Sequence, residues 1–477
     1  MKLLQIICMA ILLFGCTETH VKIPITTHSN KAKAMFLRAV EFEGLLKTDE
    51  AEKLYQNAIG LDSTFALAHI RLGMLKDDFD KRRFHIKKAM QQLDKLSEAE
   101  KLWVLARNNF YGTQDGKSEY DCFKTLVKLF PNDEHANYMF GFVNLHHGVN
   151  QPDTAIHYYK KALKINPKVS RHYNELAYAY MAKQDFKNAE KVIKNYIAFL
   201  PKHENPRDTY AELLMRDHRY KASIEAYKKV LGINPSAPWA YMGMAANLSF
   251  LKRFKEARNT LKPFDTIELS DYEYRHKWRS KVCSYLIAQK IDSAIVVLNR
   301  QKAESASGEN KREPLFHQYM AHSRITRLYF ENNQPNEGLK SFGAWKNFVK
   351  NNITKQTTID RVSDLESYFL AFAHVLKGND EAAKTIIENS TNPSDDMKLL
   401  QARLFIKTKT HDKAIAILNT LDASNPYYLH WLSLAYAHNS DTQKSKMIST
   451  KIKSLIEMNN LDYALAISKQ GQFSPSW

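Results

Sequence analysis

The chain has 477 residues, 44% of them hydrophobic and 25% charged, so an ordered, soluble body is feasible. Only 15 Gly and 14 Pro occur, which argues against a many-turned all-β fold and for long helices. The formal charge of +18 would suit an anionic partner, but the Lys and Arg are spread along the whole chain. No Arg-rich tract, zinc-finger spacing or aromatic RNA-binding motif is present, so nucleic acid is not the expected partner.

The first stretch, MKLLQIICMAILLFGC, has one Lys and then an apolar run from Leu3 to Phe14. That run is too short for a bilayer core, which needs about 20 residues. It predicts a secretory signal over residues 1–15, followed by a tether over 16–31. The end of the run, Leu13-Phe14-Gly15-Cys16, resembles a bacterial lipobox. That resemblance implies cleavage before Cys16 and acylation of its sulfur. Each buried methylene contributes about 0.8 kcal/mol, so two or more acyl chains would anchor the protein stably. Thr17-Glu18-Thr19 carries no strong acidic run. The expected location is the cell envelope, at the outer membrane and facing the periplasm.

Beyond the tether the chain repeats itself. YKKALKINP (159–167) recurs as YKKVLGINP (227–235), and IKNYIAFLP (193–201) lies midway. Ala155, Ala189, Ser223 and Ala257 are spaced 34 apart, and Pro167, Pro201 and Pro235 keep the same interval. Upstream, Ala51, Gly73 and the set Trp103, Phe110, Phe123 and Pro131 mark earlier units. Downstream, Ala294, Gly338, Ala382 and Ala414 mark later ones, with polar insertions at 301–314 and 350–360. The pattern predicts about twelve helical hairpins. They group as an array over 32–265, a divergent array over 266–460 and a tail over 461–477.

This unit resembles the tetratricopeptide repeat (TPR). Tyr173, Leu176, Ala177, Tyr180, Ala189 and Pro201 fall in its register. The expected fold class is therefore all-α, a right-handed α-α superhelix. Residues spaced 4, 7, 8 and 11 form one helix face, small residues admit close approach, and the Pro ends each second helix. A single hairpin cannot bury its apolar face, whereas stacked hairpins bury a continuous core.

The resemblance also implies that first helices line an inner groove through a stripe separate from the stacking positions. That stripe supplies the candidate partner-binding residues His135, Tyr138, Phe142, Asn174, Tyr178, Met181, Asp208, Glu212, Trp239 and Met242. Aromatic and Met side chains beside a few polar anchors suit an extended peptide or a helix. The Lys and Arg set that clamps terminal carboxylates in some TPR domains is absent.

Catalytic spacings are missing: there is no H-E-x-x-H, no G-x-S-x-G and no Gly-rich phosphate loop. His146 and His147 are adjacent and face apart on a helix, which disfavours a metal site. Cys122 and Cys283 are expected to be buried thiols. The reading is a non-enzymatic scaffold without cofactor or metal, anchored by lipid and binding a protein or peptide. A glycan-capturing lipoprotein of the starch-utilisation type is the alternative.

Overall fold

A computed structural model describes residues 22–76, 78–147, 149–267, 269–307, 313–455 and 460–469. The expected signal, Cys16 and residues 470–477 lie outside the described residues. Among the described residues there are twenty-five α-helices and no strand. Twenty-two of them pair as antiparallel hairpins, each with a first helix A and a second helix B.

The first hairpins are α1 (Asn30–Gly44) with α2 (Thr48–Leu61), α3 (Ala66–Met74) with α4 (Phe79–Met90), and α5 (Glu98–Asn108) with α6 (Gly116–Leu129). Next come α7 (Glu134–His146) with α8 (Pro152–Ile165) and α9 (Ser170–Ala182) with α10 (Phe186–Phe199), and the helices α11 (Asn205–Arg216) and α12 (Tyr220–Ile233) follow them in sequence. Then follow α13 (Pro238–Phe250) with α14 (Phe254–Thr260), α15 (Asp271–Ile287) with α16 (Ile291–Ala306), and α17 (Pro314–Glu331) with α18 (Pro335–Asn352). The last are α19 (Gln356–Leu376) with α20 (Asp380–Glu388), α21 (Asp395–Lys407) with α22 (His411–Leu418), and α23 (Pro426–His438) with α24 (Thr442–Leu455). A single helix, α25 (Leu461–Lys469), closes the series. This series of helices makes the all-α superhelical repeat fold that the period predicts.

The turns between A and B share one device. Asn150, Gln184, His218 and Lys252, again 34 apart, all have φ between 48° and 60°. This left-handed residue lets the next amide reach back to the last turn of helix A. Asp185 N bonds Tyr180 O at 3.0 Å and Arg253 N bonds Leu248 O at 2.8 Å, which satisfies carbonyls that the helix end would otherwise orphan. At the other end of each repeat, Asn166, Leu200 and Asn234 are non-helical (φ −140° to −123°). Each precedes Pro, which disfavours the α region for its predecessor.

Close approach is enforced where a ring meets bare backbone. An added Cβ on Gly141 would lie 2.9 Å from the Tyr159 ring, and one on Gly243 would overlap the Tyr227 ring. The two tyrosines of the repeated YKK phrase are therefore core residues, exposed by only 0% and 4%.

The compact units are Met1–Leu213 and Leu214–Trp477, so the division does not fall after residue 265 as the sequence suggested. The physical reason is that the 263–271 connection is itself packed. Phe264 is buried among Ile224, Leu248, Ala257 and Leu261. The expected tail is corrected as well, because its described part is the helix α25. Tyr463, Ala464, Leu465 and Ala466 are fully buried against the A helices of the second unit. Arg327 on α17 bonds Asp462 at 2.6 Å, and Lys469 lies 3.2 Å from Glu331.

The described part of the tether is docked on the first unit. Ile23 N donates to Asp133 at 3.0 Å, Thr26 N to Glu100 at 2.7 Å, and His28 N to Asp62 at 2.9 Å. Burial opposes ionisation of Asp62, yet hydrogen bonds from Thr27, Thr64 and His28 bring its carboxyl down to about 2.

Replacing Gly243 by Ala should force Tyr227 out of its place in the second unit. The expected loss is about 1–3 kcal/mol of stability, the usual range for overpacking. Thermal or denaturant unfolding checks it, and Gly232→Ala, where nothing lies within 4 Å, is the control.

Candidate functional site

Five A helices of the first unit, α1, α3, α5, α7 and α9, bring side chains to one pocket of about 240 Å³ on their inner face. Its walls are aromatic: Trp103, Tyr111, Tyr138 and Phe142. Tyr111 arrives on a π-helical turn, Asn109–Thr113, that extends α5. Such turns re-aim side chains and recur at functional sites. Arg71, Arg107 and Arg171 line the pocket with Glu43.

The arginines are compensated. Arg71 and Arg171 bond Glu43 at 3.1 and 2.8 Å, and Arg171 also reaches Glu134 at 3.3 Å. Arg107 pairs with the fully buried Glu119, which His147 also contacts. Burial alone would raise the Glu43 carboxyl, but Arg71 and Arg171 hold it below its ordinary value. Burial works against the Arg171 guanidinium, and Glu43 and Glu134 hold it above the usual range. Buried pairs of this kind add little net stability, yet removing one partner is costly, so they fix geometry.

Three of the sequence-predicted groove residues meet here. His135 packs at a tilt on Trp103, 3.9 Å between centroids, and accepts a bond from Arg71 at 3.1 Å through Nδ1. Burial, reinforced by Arg71 and Arg171, pushes its pKa well down, so the ring is neutral with its proton on Nε2. That Nε2 is buried without a partner. Tyr138 lies under the Arg171 guanidinium, 4.8 Å from ring to carbon, and Phe142 stands 6.1 Å beyond it. These rings present area with little rotamer freedom to lose, which suits an anchor site.

The other predicted residues lie elsewhere. Asn174 accepts from Thr209 at 2.8 Å, and Tyr178 donates to Glu212 at 2.7 Å, one hairpin further along. Asp208 is half-buried beside them. Burial, then Glu212 and Glu204, push its carboxyl up to about 8. Met181 is 4% exposed and offers almost no surface. In the second unit Trp239 is half-buried, and Met242 packs on the cluster around Leu248 and Phe264.

Sequence reading missed Arg71, Arg107 and Glu43 as site residues. The available signal was an Arg or Glu on the apolar inner side of three A helices. The adjacent His146 and His147 engage different partners, Glu175 and Glu119. Among the described residues no three His, Cys, Asp or Glu are grouped to hold a metal. No described helix is long and apolar enough to cross a membrane. Cys283 is buried and Cys122 half-buried, and both are thiols.

Residues 140–204 match the family model of the tetratricopeptide repeat, so the chain carries TPRs there. No curated protein matches the chain. Among solved structures, a tetratricopeptide repeat protein from Parabacteroides merdae is 13% identical, with 51% of this chain and 96% of that one covered and a TM-score of 0.35. MamA is 18% identical over 36% of this chain and 98% of its own, with a TM-score of 0.29. A thermophilic TPR protein of Thermus thermophilus is 18% identical, covering 46% and 98%, with a TM-score of 0.29.

Asp208 sets a pH dependence. Its carboxyl ionises at 3.8 when unperturbed and at about 8 in the fold, so between these values the folded state holds the extra proton. Stability contributed here is present below the lower value and declines as pH rises toward the upper. Asp208→Asn, which mimics the protonated acid, should raise the melting temperature by a few degrees at pH 8 and leave it unchanged at pH 4. A melting series from pH 4 to 9 measures this.

Proposed function

We propose that this chain is a membrane-anchored TPR scaffold that holds a segment of a partner protein on the inner face of its first unit. The observation that carries the reading is the 240 Å³ pocket, where aromatic rings surround a rigid, internally neutralised set of charges. TPR proteins are generally non-catalytic interaction scaffolds. The pocket is small for a drug-sized ligand, since such sites start at about 300 Å³. It suits one large apolar or aromatic side chain of an extended peptide or helix, with the rest of the segment lying along the groove.

Anchoring is proposed through acyl chains on Cys16, after removal of residues 1–15. The location that fits this is the cell envelope, at the outer membrane and facing the periplasm. Only Thr17–Val21 separate Cys16 from the docked strap at Lys22. The scaffold would therefore stand close to its membrane.

Two experiments test the reading. A photo-crosslinking residue at Phe142, introduced in the native envelope, should give a discrete adduct that Tyr138→Ala reduces at least tenfold. Melting of the Tyr138→Ala protein should stay cooperative. Absence of any adduct, or an adduct indifferent to Tyr138→Ala, sinks the groove assignment. For the anchor, Cys16→Ala should move the protein from the membrane to the soluble fraction, and unchanged fractionation would refute lipidation.

A further inference from the structure

The second unit has a pocket of its own, about 190 Å³, between α15, α16 and α17. Arg275 and Arg279 reach it from α15, one helical turn apart, and Arg324 comes from α17. His276, His317 and Gln301 add polar groups, and Phe316 stands at the wall with Arg275 over its ring at 5.7 Å. Among the described residues no carboxylate lines this pocket.

That composition differs from four other buried arginine sites among the described residues. Arg107 has Glu119, Arg171 has Glu43 and Glu134, Arg327 has Asp462, and Arg403 has Glu331. Arg279 and Arg324 have no ion pair with any described carboxylate. Arg324 is largely buried. Burial, with Arg279 beside it, brings its guanidinium down to about 10, whereas Arg327, one turn along the same helix and paired with Asp462, is held above the usual range. Like charges drawn together in a partly desolvated pocket repel, and no described carboxylate offsets the charges of Arg279 and Arg324. Gln301 is 1% exposed and its Oε1 has no hydrogen-bond partner, so the pocket also holds an unused acceptor.

We propose that this pocket binds a compact phosphate-bearing anion, clamped by Arg275, Arg279 and Arg324. Guanidinium groups match tetrahedral oxyanions through paired N–H donors, and a phosphate carries close to two negative charges with three free oxygens. A single carboxylate satisfies one such fork and leaves the other of Arg279 and Arg324 uncompensated. The volume admits a phosphate with a short substituent, whose carbon atoms would rest against Phe316. The unused Gln301 oxygen can accept from a hydroxyl of the substituent. The proposal stands apart from the partner groove of the first unit and does not depend on it.

The test uses the full chain with Cys16→Ala, which removes the proposed anchor. Inorganic phosphate, glycerol 3-phosphate and vesicles of phosphatidic acid in phosphatidylcholine are titrated separately, by calorimetry or by the melting temperature. Saturable binding at or below millimolar concentration is expected for at least one soluble phosphate, or for the phosphatidic acid vesicles over pure phosphatidylcholine. The comparison assigns a free phosphate or a lipid headgroup as the source. Arg324→Gln and Arg279→Gln should each weaken that binding at least tenfold, and Lys160→Gln on α8 should leave it unchanged. In the absence of phosphate, Arg324→Gln should melt no lower than the parent, because it removes an uncompensated charge. No binding of any phosphate form overturns the proposal, as does affinity that both Arg variants retain. If either variant fails to fold, the other carries the test.

Discussion

Each hairpin of this chain carries more apolar face than its two helices can cover, and the rest of the structure answers that constraint. Stacking is the first answer, and it sets tight geometric conditions. Gly141 and Gly243 leave room for the rings of Tyr159 and Tyr227, and a left-handed residue closes most of the A–B turns. Stacking leaves two kinds of surface unfinished, the ends of the array and the inner face of the A helices. The chain finishes both with its own segments. Ile23 enters the hydrophobic cluster of the first unit, and α25 lays Tyr463 to Ala466 against the A helices of the second. A helix with buried residues on all sides, such as α25, behaves as a resident ligand of its own groove.

The inner face is also where charge is buried. In the first unit Glu43 ties α1 to α3 and α9 through Arg71 and Arg171. In the second, Glu331 gathers Arg403, Lys469 and Tyr427 from three other helices. Both carboxylates join elements far apart in sequence, and neither adds much net energy after desolvation. Their value is registry, because a helix displaced by one turn would strand a charge. Against this background the arginine pocket of α15 and α17 stands out, since Arg279 and Arg324 meet there without an ion pair to any described carboxylate.

The hairpin count, the period and the ring-to-small-residue contacts were legible in the sequence, because each rests on local spacing. Pro167, Pro201 and Pro235 ended B helices where the period put them. The turns were legible only as a period. Gln184, His218 and Lys252 occupy left-handed positions without being Gly, so composition gave no sign of them. The first pocket was half legible. His135, Tyr138 and Phe142 share one helix face, and their grouping follows from spacing alone. Glu43 and Arg171 lie 128 residues apart, and nothing local announces that they touch. The segment LDYALAISK follows the last repeat and has no partner helix, so it reads as a tail. Only the assembled A helices show the space it fills.

The docked strap has a mechanical consequence. From Ser29 back to Ile23 the chain runs past Asp62, then Glu100, then Asp133, so it leaves the body at the third and fourth hairpins instead of at the first. Tension on the residues ahead of Lys22 therefore falls first on the Ile23–Asp133 bond. Pulled away from the surface, the strap would peel one carboxylate at a time, at low force. Pulled along its own length, the same bonds share the load in parallel and resist together. The attachment is thus a directional coupling, stiff along the edge of the array and compliant away from it. The first unit would keep its stacking intact while the leading segment gives way.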